Sequence, residues 1–149
     1  MSESAYPQME LLKAEMGTSH ADRSRALDRW QGPMISTRNN IEACLPYQVQ
    51  RPNGTRYKRQ ARLAWLSAVL ERPVKSGAEL TNGQNWRIGY WFAGLQPRTG
   101  EPMSEDTEAL ASQREDEVFA WLIAEHETIM EAVYQSRNVP NGGASSQQS

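Results

Sequence analysis

Between Tyr57 and Leu95 the chain reads YKRQARLAWLSAVLERPVKSGAELTNGQNWRIGYWFAGL, and the breaks in this stretch limit the fold more than any other feature. Leu63, Leu66 and Leu70 recur at i, i+3 and i+7, the spacing of one helix face. Pro73 cannot extend that helix, because it lacks an N–H and its ring clashes with the preceding turn. Ser76 with Glu79 and Thr81 with Gln84 then repeat the capping-box pattern, a hydroxyl followed three residues later by Glu or Gln. The spacing predicts a helix from Lys58 to Arg72 and a second from about Asn82 to Gly94. Ile88, Trp91, Phe92 and Leu95 make the apolar face of the second helix. This pair is the centre of a mainly α fold, a single small helical domain of five or six helices.

The rest of the chain arranges itself around that pair. Residues 1–8 read as a flexible N-terminus, and 9–137 as the single helical domain. Met9 to Met16 makes a short helix stopped by Gly17, and Ala21 to Trp30 a second. Thr37 is a candidate N-cap for a third, with Ile41, Ala43, Cys44 and Leu45 as its apolar contacts and Pro46 as its end. Pro52-Asn53-Gly54 is a strong turn signal, so 47–57 reads as a short β-hairpin or as a loop. Within the domain, 57–95 is the basic helical pair and 96–103, QPRTGEPM, a linker by its Pro and Gly content. Ser104 is placed to cap one long acidic helix over 104–136. Val118, Leu122, Ile129 and Val133 form its apolar seam, with Trp121 and Met130 beside them. Its first half, to Glu117, is weakly apolar and is expected to project or fray. The tail 138–149 holds no core-forming residues and reads as disordered.

Charge is distributed far more unevenly than the net value of −2 suggests. Residues 51–98 carry nine Lys/Arg against two Asp/Glu, whereas residues 99–149 carry two against ten. Asymmetry of this kind concerns partners or self-association rather than fold. Mean hydropathy is −0.72, and no apolar run approaches the roughly 20 residues that span a bilayer. The start, MSESAYPQME, lacks the charged flank and apolar core of a signal peptide, so a cytoplasmic protein is expected, without membrane partners.

Phosphate recognition needs clustered cations, since neutralising the backbone releases counterions, and single strands also reward flat aromatic faces. Lys58, Arg62, Trp65, Val69 and Arg72 share a stripe about 100–140° from the leucines when projected at helical pitch. On the second helix Trp86 and Tyr90 lie one turn apart with Arg87 alongside. The expected nucleic-acid face is therefore Lys58, Arg59, Arg62, Trp65, Arg72, Lys75, Trp86, Arg87 and Tyr90. The competing reading buries Trp65, Trp86 and Tyr90 in the core and pairs the cations with the acidic C-terminal segment or leaves them to solvent.

The run RLAWLSAVLERPVKSGAELTNGQNWRIGYWFAGL resembles a short helical element found in some phage replication, recombination and Mu-type regulatory proteins. There a leucine-rich helix is followed by a Val/Ser turn, Glu-Leu-Thr and a second helix. Leu63, Leu66, Leu70, Val74, Ser76, Glu79, Leu80 and Thr81 carry the likeness, over about a quarter of the chain. It implies a phage or mobile-element protein acting around DNA, in the host cytoplasm, and transfers no catalytic residue.

Enzymatic chemistry finds no foothold in the motifs: the sequence has no P-loop, no GxGxxG, no GxSxG and no HExxH. Cys44 reads as a small buried apolar residue, and His20 and His126 lie far apart without a second ligand at metal spacing. No catalytic residue, metal or cofactor is assigned. The expected function is a non-enzymatic nucleic-acid-binding accessory protein, with DNA preferred to RNA. The alternative is a protein-binding inhibitor or adaptor, such as an antagonist of a host defence complex, acting through its acidic helix or aromatic patch. A homo-oligomer joined through the opposite-charge segments is a third arrangement.

Overall fold

Met9, Leu12 and Met16 fall at i, i+3 and i+7, and in the computed structural model all three are buried. The structure describes residues 5–16, 32–46 and 54–138. The helix predicted at 21–30, residues 47–53 of the predicted hairpin or loop, and the tail from 139 lie outside the described residues. Among those described, the fold is mainly helical: α1 Pro7–Met16, α2 Gly32–Ala43, α3 Gly54–Leu70, α4 Asn82–Phe92, α5 Thr107–Ala124 and α6 His126–Asn138. A 3₁₀ turn, Gly77–Glu79, links α3 to α4, and the only β pairing among the described residues is an isolated bridge between Leu95 and Pro102. No described helix is long and apolar enough to cross a membrane.

Pro7 and Gln8, read from composition as part of a flexible N-terminus, belong to α1. α1 begins at Pro7, a favoured first helical residue, and its N-terminus is capped from another helix. The backbone N–H groups of Gln8 and Met9 donate to the Glu117 carboxylate at 2.9 and 3.1 Å. The dipole of α1 favours a negative charge at this end. α1 packs against α3, α4 and α5.

α3 starts at Gly54, so the residues predicted as the second arm of a hairpin, 54–57, are instead its first turn. The physical reason is a second apolar ladder, Tyr57, Ala61, Trp65 and Val69, at successive steps of four. All four are buried, as are Leu63 and Leu66. α3 is contacted by α1, α2 and α6, so it buries more than one face. It meets α4 through aromatic rings, with Trp65 5.8 Å from Trp91 and 5.6 Å from Phe92. Glu71 ends the helix in the left-handed region at φ 57°, before Pro73 can act.

The caps divide into those read correctly and those displaced. Thr81 and Gln84 form the full reciprocal box at the start of α4, at 3.0 and 2.9 Å. Ser76 caps the 3₁₀ turn. Thr37 is not a cap but lies inside α2, buried, with Oγ1 donating to Asn85 Oδ1 at 2.8 Å. Ala43 is exposed, while Ile41, Cys44 and Leu45 are buried. Asp106, not Ser104, caps α5, because its carboxylate reaches Ala109 N at 3.0 Å while Ser104 Oγ accepts from Asp106 N.

Two larger expectations change. The segment 96–103 is a hydrogen-bonded loop rather than an open linker: Gln96 N donates to Glu101 O at 2.8 Å and Gly100 N to Gln96 O at 2.7 Å. The long acidic helix divides at Glu125 (φ −99°, ψ 10°), which lets α5 lie on α1 and α4 while α6 lies on α3. Val118, Leu122, Ile129 and Val133 are buried as the seam requires, but Met130 is exposed. The first half of α5 does not project, because Arg114 within it is fully buried.

Candidate functional site

Of the nine residues assigned to the nucleic-acid face, the structure brings three cationic ones together and adds a fourth from elsewhere. Arg59 and Arg62, one turn apart on α3, border a hollow of about 180 Å³ with Arg38 of α2. Its other walls include Thr37, Asn85, Ser76 and Leu80. The Thr37–Asn85 hydrogen bond, with Asn85 Nδ2 donating to Thr81 O at 3.0 Å, holds α2, α4 and the α4 cap as a fixed polar wall. A second, more open hollow of about 400 Å³ runs between α3 and α6, lined by Lys75, Ser67 and Thr128. Arg59 borders both hollows, and its Nη2 donates to Lys75 O at 3.0 Å. The third predicted cation, Lys75, thus joins the group through the segment that follows α3.

The electrostatics of the first hollow are unbalanced. Arg62 Nη1 meets Glu42 Oε2 at 2.7 Å, a partly buried pair. Burial pulls the Arg62 pKa down, Glu42 opposes this by charge and hydrogen bond, and the positive charges of Arg59 and Arg38 pull it down further. Three arginines therefore line one small space, and Glu42, which does not line it, offsets the charge of Arg62. An anion between them would remove that repulsion and supply acceptors for guanidinium donors.

The remaining predicted residues fall into three groups. Trp65 is wholly buried between the rings of Trp91 and Phe92, so it cannot stack on a base. Arg87 is also buried, donating to Glu15 O at 3.0 Å and lying 3.7 Å from its carboxylate, so it cannot hold phosphate. Both corrections have one cause: α1 packs on α3 and α4 and covers what a two-helix projection leaves open. Arg72 pairs with Glu79 at 3.2 Å, while Lys58 is exposed on α3. Trp86 and Tyr90 do form an outward-facing pair, rings 5.6 Å apart, with Trp86 47% exposed. Tyr90 lies over Gly100, where an added Cβ would meet its ring at 2.9 Å.

Arg62, Arg72, Arg87 and Arg98 pair with Glu42, Glu79 and Glu15. None of these carboxylates belongs to the acidic C-terminal segment, so for these four cations that segment is not the partner. Arg38 was missed because it lies outside the basic stretch of sequence. The one signal for it was its place beside Thr37, on a helix that must turn one face to the core. Compared with protein-family models, with curated proteins and with solved structures, the chain matches none.

Proposed function

We propose that this chain is a non-enzymatic accessory protein that binds single-stranded nucleic acid, DNA in preference to RNA. Arg38, Arg59, Arg62 and Lys75 would hold phosphates, and Trp86 with Tyr90 would offer a stacking surface. The observation that carries this reading is the arginine hollow: three arginines line a space of about 180 Å³ whose lining includes no carboxylate, and Glu42 pairs with one of them, Arg62. Arg59 borders both hollows, which suits a chain of phosphates better than an isolated one. The resemblance of residues 62–95 to phage and mobile-element proteins supports DNA as the polymer and a mobile element as the setting.

Fluorescence anisotropy with a labelled single-stranded oligonucleotide over a salt series tests it. Affinity is expected to fall steeply with salt, and Arg38→Ala and Arg59→Ala each to reduce the logarithmic slope by about 1. Binding with unchanged affinity and slope in both variants would sink the assignment.

A further inference from the structure

The other end of the charge distribution carries a second surface. Phe119 and Ile123 of α5 and Met130 and Tyr134 of α6 are 43%, 49%, 42% and 61% exposed. Each pair is one turn apart, and each of the four stands one residue after a member of the buried seam, so both pairs lie on the same side of it despite the division at Glu125. Glu125 N donates to Trp121 O and Ile129 N to Glu125 O, both at 2.9 Å, closing α5 and opening α6 on either side of the joint. The four side chains therefore form one stripe, next to the buried seam of Val118, Leu122, Ile129 and Val133. From Phe119 to Tyr134 it is about 22 Å long at 1.5 Å per residue. Exposed apolar side chains taken singly are ordinary; a contiguous stripe marks an interaction surface.

The chemistry around the stripe selects its occupant. Residues three and four apart are neighbours on a helix. By that spacing Glu115 and Asp116 flank Phe119, Glu127 lies between Ile123 and Met130, and Glu131 flanks Tyr134. All four carboxylate residues are exposed. From 115 to 136 the chain has six Asp/Glu and no Lys or Arg. A partner must therefore bring apolar side chains in a row about 22 Å long, with cations on either side. A second copy of this chain is a poor match. Its basic residues Lys58, Arg59 and Lys75 are exposed, but the large exposed apolar residues outside the stripe, among those described, are Ile35, Trp86 and Met103. None of these falls within the basic run Lys58–Lys75.

We propose that the α5–α6 stripe docks a basic amphipathic helix of a partner protein, about four turns long, its apolar face on Phe119, Ile123, Met130 and Tyr134 and its cations on the flanking carboxylates. This is recognition of an amphipathic helix by its apolar face, with the charge pattern of a basic ligand. The surface is separate from the arginine hollow, so it would let the chain hold a basic protein and a nucleic acid at once.

The probe is a labelled 18-residue helix of leucine and lysine at amphipathic spacing, with a peptide of the same composition in scrambled order as control. The intact chain should bind the helix at least tenfold more tightly than the scramble. The double variant Ile123→Ser/Tyr134→Ser should lose at least tenfold in affinity for the helix, with its circular dichroism unchanged because both positions are exposed. Glu127→Lys provides a second variant that leaves the stripe intact, and should also weaken the complex and reduce its salt dependence. Equal binding of helix and scramble, or a serine variant that binds like the parent, would overturn the proposal. So would sedimentation showing a parent dimer that becomes a monomer in the serine variant, since the occupant would then be a second copy.

Discussion

Arg114 Nη1 donates to the backbone carbonyl of Trp91 at 2.7 Å, from a side chain with no exposed surface. The same nitrogen reaches Leu95 O at 2.8 Å, and Nε reaches Gln8 Oε1 at 2.9 Å. One guanidinium therefore satisfies the carbonyls at the end of α4 and ties them to α1 and α5. Gln8 completes the junction, since its own carbonyl accepts from Trp91 Nε1 at 2.8 Å. Burial pulls the Arg114 pKa down to about 10, with Glu117 opposing. The group is still a cation at neutral pH, and its donors are used within the core. Replacing it takes a donor from the partly buried Leu95 O and Gln8 Oε1, at about 1–3 kcal/mol each, while Trp91 O keeps Gly94 N at 3.0 Å. Arg114→Ala should lower stability by about 3 kcal/mol or more, read as a drop in the urea midpoint. Arg114→Lys should recover only part of the loss, because an ammonium cannot reproduce the planar fork. Glu117→Ala, which uncaps α1, should cost about 1 kcal/mol.

The two tryptophans first assigned to one face should separate cleanly. Trp65 fills the space between Trp91 and Phe92 with no exposed surface, so Trp65→Ala should cost about 3–5 kcal/mol in urea unfolding. Trp86 contacts Tyr90 at the surface, so Trp86→Ala should cost about 1 kcal/mol or less. On the proposed function the ranking reverses for single-stranded DNA, where Trp86→Ala should lose about 1–3 kcal/mol of binding, the worth of one stacked base. A Trp86→Ala protein that binds as the parent does would remove this residue from the interface.

These contrasts show what could be read without a structure. The Thr81–Gln84 box was legible because both partners lie within one turn, and so were the leucine face of α3 and the seam of Val118, Leu122, Ile129 and Val133. Trp65 was not, because α3 carries two apolar ladders and only its neighbours α1, α2 and α6 decide that both are buried. Arg114 was hidden for the opposite reason. An arginine within an acidic run reads as solvated, and the carbonyls it serves are contributed by α4 and the loop after it. Arg38 entered the candidate site from another helix, a juxtaposition that charge counted along the sequence could not display. Local chemistry was legible; the choice of which helix covers which face was not.

Two backbone positions should respond in opposite directions to the same physics. Glu71 adopts φ 57° at the end of α3, a conformation that costs a residue with a Cβ roughly 1–2 kcal/mol. Glycine is the usual residue there, so Glu71→Gly should raise the thermal midpoint, by about 0.5–1 kcal/mol of stability. Gly94 already holds φ 82°, and an added Cβ would stand 2.1 Å from Thr107 O at the start of α5. Gly94→Ala should therefore destabilise by more than about 2 kcal/mol, through strain and a displaced α5 together.

Cys44 gives the prediction that depends on pH. Its thiol is buried behind the end of α2, and Sγ lies 3.4 Å from Asn40 O. Burial pushes its pKa up to about 12, and the charges of Glu115 and Asp116 add to the shift. Only the thiolate attacks an alkylating agent, so at pH 8 the native chain should react roughly a thousandfold more slowly than a free thiol. Denaturant should restore the ordinary rate, and a native rate equal to that of the unfolded chain would refute the burial. The sign for stability follows from the same shift. The folded chain holds this proton to higher pH than the unfolded one, whose thiol titrates near 9.0. The contribution of the neutral thiol is therefore complete below that value and is lost as pH rises toward about 12. Cys44→Ala removes the titrating group, so the stability of the parent relative to the variant should be flat up to about pH 8.5 and should decline above it.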